Sequence, residues 1–259
     1  MRMMKKVLGT VTVLALSVSL LAGCGSTAVS PVSSTASTAA ESTTSSVVSE
    51  TTSAAADENA AAAAQLLNDL TGSYQELWPV ILADEYQQTW LDDCTALVGE
   101  ENAEAAFEKL SSMVTSDVYG EDAVEAYANG GGAYFCGFTN SLAILTFDGE
   151  TSTISGTDKD GNVLFSHTYH YIGMEPVRGL YEFQSDDADS GEFTYFFLAP
   201  DTSAETYHIE FRYGSDAEAL SQYDTGEYAY WLASGISTDC DQTMIDNGIE
   251  LFCTENLAG

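Results

Sequence analysis

The chain of 259 residues carries 40 Asp and Glu against 7 Lys and Arg, a formal net charge of −33, with 3 His and 45% hydrophobic residues. Acidity on this scale repels phosphate, which excludes nucleic acid and anionic lipid headgroups as partners. It attracts cations in general, although dispersed acidity most often serves solubility.

Arg2, Lys5 and Lys6 precede an apolar run from Val7 to Leu21 that closes on Leu21-Ala22-Gly23-Cys24. A basic head, a short apolar stretch and small residues before the cut predict a secretory signal peptide over residues 1–23. The run falls short of the roughly 20 apolar residues of a bilayer span. Its last four residues resemble the bacterial lipobox. That resemblance implies a chain that begins at a lipidated Cys24 and sits on the extracytoplasmic face of the cell membrane, touching lipid only through the anchor. Residues 24–57 are mostly Ser, Thr and Ala. Such a segment buries too little apolar surface to offset its ordering entropy, which predicts a flexible tether.

Residues 58–259 are long enough for one domain with its own core, and keep only Lys109, Lys159, Arg178 and Arg212 as cations. Apolar spacing predicts helices over Ala60–Leu70, Glu85–Leu97 and Ala103–Met113, with Pro79 marking a break and Gly130-Gly131-Gly132 ending the helical region near residue 128. Short aromatic and β-branched runs then predict strands at 133–138, 142–147, 151–156, 163–172, 177–183, 193–198 and 207–213. Asp148-Gly149 and Asp160-Gly161 stand where tight hairpins belong. Consecutive hairpins without crossover helices predict an antiparallel meander closing into a barrel. From about Asp216 the tail reads as helical, with Ile245, Ile249 and Phe252 on one face for docking on the barrel. The fold class is therefore mainly β (α+β), a barrel between an N-terminal helical segment and C-terminal helices. Outside the cytoplasm, Cys94, Cys136, Cys240 and Cys253 permit two disulfides in three connectivities, and no Cys-x-x-Cys suggests a thiolate zinc knot.

Several strings, in order, resemble the ZinT (YodA-like) lipocalin-like zinc-recruitment domain family. They are Leu70-Thr71-Gly72-Ser73-Tyr74-Gln75-Glu76-Leu77-Trp78-Pro79, Val177-Arg178-Gly179-Leu180-Tyr181-Glu182-Phe183, Phe197-Leu198-Ala199-Pro200, and Tyr207-His208-Ile209-Glu210 with Gly214. The resemblance covers about residues 65–257. It implies an antiparallel calycin/lipocalin-like β-barrel that binds zinc and passes it towards an uptake system, a metal ABC transporter or its binding protein. Three histidines hold the metal in that family. Their positions here are Phe196, His208 and Glu210, so one ligand is lost and one is a carboxylate.

On a strand, residues two apart share a face, which puts Thr206, His208, Glu210 and Arg212 together. An imidazole and a carboxylate on one face suit a divalent cation, but an ordinary zinc site needs a third protein ligand. Glu182, Asp216 and Glu218 are open contributors. The competing reading is a solvent face on which Arg212 pairs with Glu210. His167 and His170, three apart, fall on opposite strand faces and cannot chelate together. Asp158-Lys159-Asp160-Gly161-Asn162 lacks the downstream Glu of a calcium loop and reads as a hairpin turn. The glycine run lacks the Lys-Ser/Thr of a phosphate loop, and no Gly-x-Ser-x-Gly elbow is present. The sequence thus predicts a lipid-anchored binding module, not an enzyme, with zinc or another divalent metal ion held by His208 and Glu210. The alternative is a barrel whose metal site has decayed into a surface interaction or small-ligand module.

Overall fold

A computed structural model describes residues 47–200 and 208–258. The expected signal peptide, Cys24 and the first part of the tether lie outside the described residues. Helix α1 spans Val47–Asp69, so its backbone is helical through the end of the segment expected to be a tether. Ala54-Ala55-Ala56 and the run Ala60–Ala64 explain this, because alanine carries the highest helix propensity. Ala63, Leu66, Leu67 and Leu70 recur at helical spacing and are buried against the sheet.

Eight strands form a closed antiparallel barrel in which every strand pairs with its sequence neighbours. They are β1 (Gly72–Glu76), β2 (Ile144–Asp148), β3 (Thr153–Thr157), β4 (Val163–Met174), β5 (Tyr181–Ser185), β6 (Tyr195–Leu198), β7 (His208–Gly214) and β8 (Ala233–Ser237). Closure comes from β1 on β8, with Tyr74 opposite Ser237 and Glu76 opposite Gly235. The closed, helix-flanked antiparallel barrel predicted from sequence is present. Its strand list needs three corrections. β1 lies inside the stretch read as helical, and β8 lies inside the tail read as helical. The expected strand 133–138 is only an extended segment making single bridges, Phe135 with Thr115 and with Trp231.

Alternation fills the lumen. Phe147, Ile154, Phe165, Tyr169, Phe183, Phe196, Phe211 and Tyr213 are all buried in one cluster. Their rings stack on one another, Phe165 on Phe193 at 3.9 Å, Phe193 on Tyr213 at 5.5 Å and Phe196 on Tyr213 at 5.3 Å between centroids. The outside of β2 and β3 is only half covered, whereas β6, the end of β7 and β8 are largely buried on both faces. Both turn expectations hold. At the second, Asp158 accepts from the backbone amides of Asp160 and Asn162 and joins β3 to β4. At the first, Gly149 sits so close to α1 that a Cβ would lie 2.4 Å from Asn68 Cα.

A second core lies outside the barrel, where α2 (Leu77–Ile81), α3 (Gln87–Val98), α4 (Ala103–Ser112) and α7 (Gln242–Leu257) enclose Trp78, Trp90, Ile245 and Ile249 and reach Ile236 of β8. The apolar face of α7 therefore docks chiefly on helix α3 instead of the barrel, with Phe252 edge-on to Trp78 and Trp90 at 4.8 and 5.9 Å. α5 (Glu121–Ala126) and α6 (Ala217–Leu220) are short helices, and α6 packs on β7. Among the described residues no helix is long and apolar enough to cross a membrane.

The α3–α7 seam carries an electrostatic cost. Asp93 has a buried Oδ2 without a hydrogen-bond partner. Burial raises its pKa, and Glu250 and Asp246 of α7 with Asp92 of α3 raise it further. A carboxyl that binds its proton more tightly in the folded state lowers stability while ionised. That loss vanishes as pH falls below the ordinary carboxylate range. Asp93→Asn removes the charge and places an amide donor among these carboxylates, so it is expected to raise the unfolding midpoint at neutral pH by roughly 2–4 °C, the equivalent of about 1 kcal/mol. Thermal scans should show that gain disappearing near about pH 3.

Candidate functional site

β7 begins at His208, and its register fixes what each side chain faces. His208 stands opposite Ile236 and Glu210 opposite Ser234, while Phe211 faces Ala233. Ile236 belongs to the helical core outside the barrel and Phe211 to the lumen. His208, Glu210 and Arg212 therefore project from the outer face of β7, towards the side that the helices cover. His208 and Glu210 are half-buried and Arg212 is wholly buried. The shared face expected for the imidazole and carboxylate is what the strand provides. Thr206 lies outside the described residues.

The first position of the family pattern is elsewhere. Phe196 pairs with Tyr213 and points into the lumen, 0% exposed, edge-on to Tyr169 at 5.4 Å and stacked against Phe211. The open third contributors do not join the pair either. Glu182 is opposite Phe197, which separates it from Arg212 on the outer face. Asp216 caps α6 by accepting from the amides of Glu218 and Ala219, and Glu218 lies in that turn. Among the described residues, no group of three or more His, Cys, Asp or Glu is placed to hold a metal ion. The nearest thiol environment is that of Cys136, whose carbonyl accepts from Ser234 N. Burial pushes that thiol up to about 12, and the Glu210 carboxylate adds to the effect.

His167 and His170 sit on opposite faces of β4, as their spacing requires. His167 stacks on Phe165 at 5.9 Å and meets Asp187 through Nδ1 at 2.7 Å, while the exposed His170 meets Asp186 at 2.6 Å. Each imidazole thus ties β4 to the loop after β5, and the two do not converge.

The sequence reading missed the most elaborate polar cluster, which lies beside the candidate pair. The Arg212 guanidinium donates to the carbonyls of Leu220, Gln222 and Tyr228. It lies 4.3 Å from the Tyr223 ring, and Arg178 lies over that ring at 4.4 Å. Two of the four cations of the domain thus bracket one tyrosine, a favourable use of the ring's negative face. Arg178 also donates to the Tyr134 hydroxyl at 3.1 Å. Glu175, 1% exposed, accepts from the amides of Val177 and Arg178 at 2.7 and 2.6 Å, and Tyr223 donates to it at 3.4 Å. Burial, then the charge of Glu175, raises the Glu182 pKa. Burial pushes the Tyr223 hydroxyl up to about 12, with Glu175 adding to it.

This geometry corrects the solvent-face alternative for Arg212. It is wholly buried, and it pins residues 220–228 over the barrel through their carbonyls. The signal was available only in part: an Arg on a strand in a chain with so few cations is notable, but its carbonyl partners are local to a loop the sequence did not place. Arg212→Ala should leave the carbonyls of Leu220, Gln222 and Tyr228 without this donor, the first and last of them buried. The expected cost is about 3 kcal/mol or more, since each unsatisfied buried polar group costs roughly 1–3 kcal/mol. Denaturant titration of the variant measures it.

No protein-family model and no curated protein matches the chain. Among solved structures it is similar to the Zn(II)-bound ZinT-like domain of Streptococcus pneumoniae AdcA, at 15% identity over 71% of this chain and 89% of that one, with a TM-score of 0.45. It is also similar to Zn(II)-bound AdcA from the same organism, at 15% identity over 72% of this chain and 35% of that one, with a TM-score of 0.41. The chain thus spans about a third of the length of that second protein.

Proposed function

We propose that this chain is a lipid-anchored extracytoplasmic module that binds a divalent metal ion, zinc foremost, on the outer face of β7 and presents it to a membrane uptake system. The observation that carries the reading is the pair His208 and Glu210, an imidazole and a carboxylate two residues apart on one strand face. The collinear resemblance to zinc-recruitment domains and the acidic surface support it. Two protein ligands leave coordination positions for water or for a receiving protein. That suits modest affinity and release, not a closed structural site, which takes four protein ligands. Nothing in this role calls for catalysis.

A second reading has an observation of its own. Phe196 occupies the family's first ligand position and is sealed in the aromatic lumen, which favours a barrel whose metal site has decayed. The same packing weighs against an organic ligand in the lumen, because stacked rings fill the space that a calyx would leave open. On this reading the chain is a surface interaction module.

Thermal unfolding separates the two. A ligand that binds only the folded state, at a hundredfold excess over its dissociation constant, stabilises it by about 2.7 kcal/mol, or roughly 5–10 °C for a domain of this size. The metal reading predicts such a rise for the metal-stripped chain in zinc and its loss in His208→Ala. A midpoint indifferent to zinc, or a rise the variant keeps, would establish the second reading.

A further inference from the structure

We propose that Cys94 and Cys253 form a disulfide that staples the C-terminal helix α7 to α3. The two sulfurs are 3.9 Å apart, in contact, and both residues are 0% exposed at facing positions of the helix pair. A disulfide requires an S–S separation of about 2.05 Å, so bond formation asks for an approach of roughly 2 Å between atoms that already touch. All four cysteines of the domain are thiols in this structure. Sequence alone leaves three pairings open, and the fold brings this one into contact. Cys136 is instead tied through its carbonyl to β8, and Cys240 lies just before Asp241, the residue that caps α7.

An independent observation gives the staple a purpose. The seam it would cross is where Asp93 faces Asp246 and Glu250, so like charges on the two helices oppose docking. α7 is the last described element and contributes Ile245, Ile249 and Phe252 to the helical core that backs β8. A covalent tie between the helices offsets that repulsion without adding a cation, of which the chain has few.

The oxidant is a disulfide, carried by a thiol oxidoreductase or by a small molecule such as oxidised glutathione. The thiolate of one cysteine attacks the oxidant's S–S bond, which breaks, and the departing sulfur takes up a proton. The second cysteine, deprotonated, attacks its partner's sulfur in the mixed disulfide and expels the other half of the oxidant. Two electrons and two protons pass from the cysteines to the oxidant, which leaves as two thiols. Burial raises the pKa of both thiols in the folded chain. The exchange therefore belongs to folding, before α7 seals the pair, or to a transient opening of that helix.

The test is to refold the full chain with reduced and oxidised glutathione, alkylate the remaining thiols under denaturing conditions and map the digest. The expected result is a linked pair of peptides carrying Cys94 and Cys253, with Cys136 and Cys240 alkylated. The unfolding midpoint should fall by on the order of 10 °C on adding reductant, as a cross-link closing so long a loop predicts. Cys253→Ala should show no response to reductant. Alkylation of both Cys94 and Cys253, linkage of either to another cysteine, or a wild-type midpoint insensitive to reductant would overturn the proposal.

Discussion

Everything on the covered side of this molecule depends on the antiparallel pairing of β1 with β8, the pair that turns a seven-step meander into a closed barrel. Closure removes both sheet edges, and with them the unpaired amides that would otherwise invite another chain. It also fixes where β8 lies. Ala233, Ser234, Gly235 and Ile236 are all buried, with the lumen on one side and the helices on the other. Small residues suit that double burial. A Cβ on Gly235 would stand 3.1 Å from the Ile209 side chain. Because β8 is pinned in this way, its neighbour β7 must turn His208, Glu210 and Arg212 towards the helical side, and the candidate metal pair inherits its surroundings from barrel closure.

The distribution of charge follows the same division. With 40 carboxylates and few cations, most acids must be solvated, and the exposed loops and helix surfaces carry them. The two arginines that reach the interior are held differently. Arg212 is surrounded by carbonyl oxygens and an aromatic face, and desolvation, the largest influence, lowers its pKa. Charge-assisted bonds to several carbonyls offset the cost of burying a guanidinium.

How much was legible in the sequence varied with the range of the forces involved. The central strands and their turns were read from alternation and from Asp148-Gly149 and Asp160-Gly161, because both signals are local. β1 was missed because Gly72–Glu76 is short, polar and set between helix formers; only its pairing with β2 and β8 makes it a strand. β8 was missed because a strand buried on both faces does not alternate, and its small side chains carry no β signal. The face shared by His208 and Glu210 was readable, since a period of two is a property of any strand. What lies around them was not: the inward turn of Phe196, the capping role of Asp216 and the carbonyl cage of Arg212 are all tertiary. The same holds for the cysteines, whose number was plain and whose neighbours were not.

The central claim is that His208 and Glu210 together coordinate a metal ion on the outer face of β7. X-ray absorption at the zinc edge, on the chain loaded with one equivalent of zinc, tests it most directly. Coordination by the pair gives a first shell of one imidazole nitrogen at about 2.0–2.1 Å with oxygen neighbours at about 2.0–2.2 Å and no sulfur. The imidazole signature should be lost in His208→Ala. A shell of water alone, or one containing sulfur at about 2.3 Å, would contradict it.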